Sequence, residues 1–101
     1  MLKHVVMWRL KENALGQTKK ENAEKMIKLI KALEGKIEGV ISLEAGINAL
    51  PDPQAYDVVL VGTYEDEAAF GRYLEHPDHV VAANFIGEVR ESRTVVDYFT
   101  S

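Results

Sequence analysis

The chain has 101 residues, of which 12 are Lys or Arg and 16 are Asp or Glu, so its net charge is −4. This length fits one domain over residues 1–101, and 47% hydrophobic with 28% charged residues is a globular composition. The absence of cysteine excludes disulfides, thiolate nucleophiles and Cys-ligated metal centres, and the acidic balance argues against a nucleic-acid partner.

The N-terminus shows no targeting signal, because the apolar run before Arg9 is too short for a signal peptide. No stretch of the sequence approaches the roughly 20 apolar residues that cross a bilayer. We therefore expect a cytoplasmic protein without a membrane partner.

The first predicted element is a strand over residues 4–10. Its apolar side chains lie on both faces, which is typical of an internal strand. After a polar loop, Thr18 and Glu21 have the spacing of a capping box. Apolar residues then recur at helical spacing as far as Leu33, and Gly35 predicts a left-handed C-cap for this helix.

Two strands are predicted next, over residues 40–47 and 56–64. The connection between them contains Pro51 and Pro53, which cannot donate to a strand ladder. The continuous apolar run at residues 58–61 indicates that the second of these strands is central in its sheet.

The next region is helical and is interrupted at Pro77. Before the break, the spacing of Phe70, Tyr73 and Leu74 predicts an inward-facing stripe. Because the residue before a proline avoids the α conformation, His76 is predicted to cap a second helix that begins at Pro77 and continues to residue 87. A last strand is predicted over residues 93–99.

The resulting order, β-α-β-β-α(α)-β, is the ferredoxin-like α+β pattern. Right-handed crossovers then give a four-stranded antiparallel sheet of order 4-1-3-2 with the helices on one face. The other face displays Val5, Met7, Val59 and Val61 without a helix to cover them. An apolar face of several hundred Å² is too large to stay in contact with water, so we expect a homodimer that forms through the sheet face.

Three side chains are candidates for chemistry in the space between helices and sheet. His79 is a candidate general base or acid, because imidazole titrates near neutral pH; alternatively it is a helix-start histidine whose ring is satisfied by neighbouring groups. Tyr73 is a candidate for orienting a carbonyl through its hydroxyl, or else packs in the core. His4 lies on the opposite wall, where Asp97 would orient it unless that carboxylate is solvated at the sheet edge.

A metal site would need His76, His79 and His4 together as nitrogen ligands. The helix break is expected to turn His76 and His79 in different directions, so we predict neither a metal nor a cofactor. Phosphate-binding loops, nucleophile elbows and dinucleotide fingerprints do not occur in the sequence. Trp8 is expected in the core, where its bulk would shrink any cavity.

The sequence resembles the stress-responsive dimeric α/β-barrel (Dabb) domain proteins over nearly its whole length. The segments that carry the resemblance are KHVV (3–6), VISLEAG (40–46), YED (64–66), YLEHPDHV (73–80) and VDY (96–98). The resemblance implies a ferredoxin-like protomer that pairs sheet to sheet into a dimeric barrel.

The resemblance also implies two functions. One is a stress-responsive homodimer with a small-molecule pocket between helices and sheet, which takes a small apolar or carbonyl ligand. The other is a cofactor-independent cyclase, isomerase or lyase, as in a plant polyketide cyclase of the family. In that case the cyclase residues fall on His79 as general base, on Tyr73 as the group that holds the substrate oxygen, and on His4. A monooxygenase of the wider dimeric-barrel superfamily shares the fold, but no motif of the sequence supports it.

Overall fold

A computed structural model of the chain describes residues 1–100. Its strands are β1 (Leu2–Leu10), β2 (Asn13–Ala14), β3 (Gln17–Thr18), β4 (Val40–Ile47), β5 (Val58–Tyr64) and β6 (Arg90–Phe99). Its helices are α1 (Lys19–Lys31), α2 (Glu67–Glu75) and α3 (Pro77–Val89). None of these helices is long and apolar enough to cross a bilayer.

The main sheet is antiparallel and has the order β4-β5-β1-β6. This is the predicted ferredoxin-like arrangement, with β1 and β5 in the centre and the connections that split βαβ units require. The two-residue strands β2 and β3 form a separate small hairpin that the sequence analysis treated as a polar loop. Leu15 and Gly16 turn this hairpin with positive φ angles.

Helix α1 begins as predicted but ends earlier. The Thr18 hydroxyl accepts from the Glu21 backbone N–H, and the Glu21 carboxylate accepts from the Thr18 N–H, which completes the capping box. The C-cap is Ala32, because the next backbone bonds, such as Leu33 N–H to the Ile30 carbonyl, span three residues and tighten the chain. The assignment of Gly35 as the C-cap was therefore wrong, although its φ is positive as expected.

The helix break also forms as predicted. His76 is the N-cap of α3, its Nδ1 accepts from the Asp78 backbone N–H at 3.1 Å, and Pro77 occupies the first helical position. Helix α3 extends to Val89, and β6 follows without a loop at Arg90, three residues before the predicted start of that strand.

The core lies between the sheet and the helices. It is built from the side of β1 that carries His4, Val6 and Trp8, together with the inner faces of β5 and the helices. Leu74 was predicted to face inward but is 44% exposed. On the other side of the sheet, Val5 lies opposite Val61 and Met7 opposite Val59, and no helix covers them.

Candidate functional site

A cavity of about 210 Å³ lies between β1 and the two helices on either side of the break. His4, Trp8, Tyr73 and His79 all line it, so the structure brings the three candidate residues together around one space. Trp8 narrows the cavity without filling it. Phe70 is not among the lining residues: its ring packs 4.9 Å from that of His4, measured between centroids.

The orientation of His79 is determined by the helix break. In an uninterrupted helix the Leu74 carbonyl would accept from the backbone N–H four residues later, which belongs to Asp78. Because that N–H is donated to the His76 ring instead, the Leu74 carbonyl is available, and the Nδ1 of His79 lies 3.1 Å from it. A carbonyl only accepts hydrogen bonds, so Nδ1 carries the proton and Nε2 keeps its lone pair.

The environment of His79 also favours its neutral form. Burial lowers the pKa of this imidazole below its ordinary 6.5 and outweighs the Leu74 carbonyl, which acts in the opposite direction. The nearby His4 and His76 lower this pKa further, because a second positive charge would be repelled. His79 is thus a neutral imidazole at pH 7 with one basic nitrogen.

Tyr73 packs directly against this histidine. Their ring centroids are 4.4 Å apart, and the tyrosine is only 2% exposed. Burial raises the pKa of the Tyr73 phenol above 10, so the hydroxyl stays protonated and is a hydrogen-bond donor at neutral pH. Tyr73 therefore belongs to the core and also lines the cavity, and its role in orienting a carbonyl stays a prediction.

His4 occupies the opposite wall and has a carboxylate partner. Its Nδ1 lies 2.5 Å from the Oδ1 of Asp97, which sits directly across from it in the β1–β6 ladder. A carboxylate accepts hydrogen bonds, so the Nδ1 of His4 carries a proton in this contact. The orientation of His4 by Asp97 was one of two alternatives drawn from the sequence.

A three-histidine metal site does not form. The Nδ1 of His76 is engaged at the cap of α3, and His76 is not among the residues that line the cavity. Across residues 1–100, no group of three or more His, Cys, Asp or Glu side chains has an arrangement that could hold a metal ion.

A second tyrosine, Tyr64, packs against Tyr73 in the core. Tyr64 is fully buried, its ring centroid lies 5.1 Å from that of Tyr73, and its hydroxyl has no hydrogen-bond partner within residues 1–100. Burial, with the neighbouring Tyr73, raises the pKa of Tyr64 far above its ordinary value. Its hydroxyl lies over Gly62, where a Cβ would stand 2.4 Å from the oxygen. The sequence did not predict the close contact between Tyr64 and Gly62.

Sequence reasoning also missed Arg90 and Arg93, which complete the lining of the cavity. A signal existed for Arg93, because it lies four residues before Asp97 on a strand and therefore shares its face. No comparable signal existed for Arg90, since it follows helix α3 directly and lies outside the predicted strand.

Comparison with known proteins relates this arrangement to one family. The model of the Stress responsive A/B Barrel Domain (Dabb) family matches residues 2–100. An uncharacterized protein of Streptomyces coelicolor is 32% identical over 79 residues, which are 78% of this chain and 79% of that protein.

Two solved structures are similar over nearly the whole chain. A dimeric protein of unknown function with a ferredoxin-like fold, from Bacteroides fragilis, is 28% identical with a TM-score of 0.86, and the match covers 98% of this chain and 95% of that one. A protein from Arabidopsis thaliana is 27% identical with a TM-score of 0.78, and the match covers 100% of this chain and 96% of that one.

Proposed function

The chain belongs to the Dabb family, and on this premise we propose that it is a homodimeric protein whose cavity binds a small carbonyl compound and promotes proton transfer next to the carbonyl group. The observation that carries the proposal is the state of His79. It is a neutral imidazole whose Nδ1 is bound to the Leu74 carbonyl, and it lines the cavity beside a protonated Tyr73.

The proposed step is a cofactor-independent enolisation. A proton leaves the carbon beside the carbonyl and bonds to the Nε2 of His79, and the C–H electron pair moves into the new carbon–carbon double bond. The carbonyl π pair shifts to oxygen, where the Tyr73 hydroxyl donates a hydrogen bond to the developing negative charge. Return of the proton from His79 regenerates the ketone or gives an isomer, so the step is balanced without a co-reactant. Aldol cyclisation and keto–enol isomerisation both proceed through such an enolate.

His4 is a further polar group in the lining of the cavity. Asp97 holds the Nδ1 of His4, so we propose that the Nε2 of His4 positions the ligand through a hydrogen bond. The remaining lining is mainly apolar, including Val6, Ile30 and Leu60, and excludes water from the ligand.

The homodimer is proposed to form through the open face of the sheet. Val5, Met7, Val59 and Val61 form the centre of this face, and β6 adds Val96 and Tyr98, which are 62% and 47% exposed in the protomer. The similar structure from Bacteroides fragilis is described as dimeric, which supports the same assembly here. A second copy packed face to face removes these side chains from water.

The experiment is deuterium exchange of a small neutral ketone, phenylacetone, at the carbons beside its carbonyl, followed by proton NMR in D₂O. We expect the protein to accelerate exchange, and His79→Asn to reduce the acceleration by at least about 100-fold, as for loss of a general base. The Asn amide still offers a donor to the Leu74 carbonyl, so the change removes mainly the basic nitrogen.

The matched control is His76→Asn, which replaces a histidine three residues away that does not line the cavity. Asn is a good N-cap, so α3 keeps its start. Because His76 makes the smallest contribution to the lowered pKa of His79, exchange is expected to change far less than with His79→Asn. Equal rates for wild type and His79→Asn would refute His79 as the base.

A further inference from the structure

Two arginines add a permanent positive charge to the lining of the cavity. Arg93 lies opposite Trp8 in the β1–β6 ladder, and Arg90 lies opposite Leu10. Residues directly opposite each other in an antiparallel pair project from the same face of the sheet. Arg93 therefore belongs to the helix-covered face. The ladder shifts register between Arg9 and Leu10, so the pairing does not fix the face of Arg90, but both arginines line the cavity.

Neither arginine forms an ion pair within residues 1–100. None of the residues that line the cavity is Asp or Glu. Over the described part of the chain, residues 1–100, no carboxylate lies within 4.0 Å of either guanidinium. The carboxylate of Asp97 accepts from His4. A chain of net charge −4 thus has a cavity lined by two cations and no anion.

This inference rests on the proposed function and deepens it: we infer that the ligand is a small carbonyl compound that also carries a carboxylate, and that Arg90 and Arg93 bind this carboxylate. The planar guanidinium presents paired N–H donors that match the two oxygens of a carboxylate. The rest of the ligand then occupies the apolar part of the cavity, between Trp8 and His79.

The volume limits the size of this acid. A cavity of about 150 Å³ accommodates benzene, and the cavity here measures about 210 Å³. The enclosed part of the ligand is therefore a single ring or a short branched chain, and the carboxylate lies at the end where the exposed arginines are.

Ligand binding can be followed by the fluorescence of Trp8, because it is the only tryptophan of the chain and it lines the cavity. The full-length protein is titrated with phenylacetate and, separately, with phenylacetamide, which has the same size and no charge. We expect both to change the Trp8 fluorescence, with a Kd for phenylacetate about tenfold lower, as for a charge-assisted hydrogen bond at a partly exposed site.

Two variants test the arginines individually. Arg90→Gln and Arg93→Gln are each expected to raise the Kd for phenylacetate by about fivefold to tenfold and to leave that for phenylacetamide unchanged. Arg72→Gln is the matched control. Arg72 is an exposed arginine of α2 that does not line the cavity, so the affinity for phenylacetate should not change.

The outcomes separate this inference from the proposed function. Equal Kd values for the two probes, or an equal loss with Arg72→Gln, would overturn the assignment of a carboxylate, while ketone exchange dependent on His79 would still hold. Tighter binding of phenyl phosphate than of phenylacetate would also overturn it. If phenylacetate binds as expected and His79→Asn does not slow ketone exchange, the proposed chemistry fails and the anion site stands.

Discussion

The two faces of strand β1 have opposite environments although their residues alternate in one short segment. Towards the helices, Val6 is 1% and Trp8 5% exposed, and this side builds the core and the cavity. On the other side Met7 is 37% exposed, and no helix lies above it. Because side chains alternate along a strand, the proposed ligand site lies on one face of β1 and the proposed dimer interface on the other. Substitutions on the two faces should have separable effects.

The largest expected effect is on the open face. Met7→Asp places a carboxylate in the centre of the proposed interface, where pairing buries it without a partner. Leaving such a charge uncompensated costs about 3–5 kcal/mol, so the dimer Kd should rise more than a hundredfold. Sedimentation velocity measures the dimer, and circular dichroism checks the fold.

The control for this change is Val81→Asp, which alters an apolar residue of α3 that is 62% exposed and lies away from the sheet. We expect this variant to remain dimeric. A wild-type protein that sediments as a monomer at micromolar concentration, or a Met7→Asp variant that stays dimeric, would contradict the proposed interface.

A smaller effect is expected on the covered face at Gly62. An added Cβ would lie 2.4 Å from the Tyr64 hydroxyl oxygen and 2.8 Å from two ring atoms, and Tyr64 is fully buried. Overpacking of this kind costs about 1–3 kcal/mol, so Gly62→Ala should lower the free energy of unfolding by that amount, as measured by urea denaturation.

Gly71 gives the opposite expectation in the same assay. It lies inside α2, and a Cβ there meets nothing within 4 Å, so Gly71→Ala should stabilise the protein by about 0.5–1 kcal/mol. Similar effects of the two alanines would show that the Tyr64 ring moves aside, and that the layer behind the cavity is not tightly packed.

The smallest expected effect is a pH dependence of stability that belongs to His79. Burial lowers its pKa in the folded state, while the unfolded value is the ordinary 6.5. At a pH between these two pKa values, the unfolded chain binds more protons than the folded protein. The free energy of unfolding therefore rises with pH in this window and levels off above it.

The test compares urea midpoints of wild type and His79→Asn from about pH 5 to pH 7.5. The carboxylates contribute equally to both proteins, so the difference between the curves isolates His79 from its neighbours His4 and His76. We expect wild type to lose more stability towards acid. Parallel curves would indicate that His79 has the same pKa in both states.

The strand and helix order was predictable because each element has a local signal. The capping box at Thr18, the proline at residue 77 and the alternation along β1 depend on interactions within a few residues. The end of α1 was not predictable from Gly35, since two glycines with positive φ lie between α1 and β4 and either fits a left-handed turn. The short hairpin of β2 and β3 carries too few apolar residues to show a period.

For the candidate site, the sequence predicted only which face of its strand or helix each candidate residue lies on. The placement of His4, Tyr73 and His79 around one cavity follows from strand alternation and the helix break. The groups that contact these side chains, or join them in lining the cavity, are brought there by the tertiary structure. The Leu74 carbonyl belongs to the backbone and has no side-chain signature, and Arg90 reaches the cavity through the direct junction of α3 with β6.

The bond between His79 and the Leu74 carbonyl has a consequence for how this site tolerates mutation. Every amino acid at position 74 supplies the same carbonyl oxygen, so no side-chain substitution there deletes the group that selects the tautomer of the proposed base. A substitution at position 74 would therefore act through its side chain, which also lines the cavity, and not through loss of this hydrogen bond. The sensitive position is Pro77, because its ring keeps the helix broken and that oxygen unclaimed. The hydrogen bond that orients His79 therefore depends on the proline three positions after the contact and not on which side chain residue 74 carries.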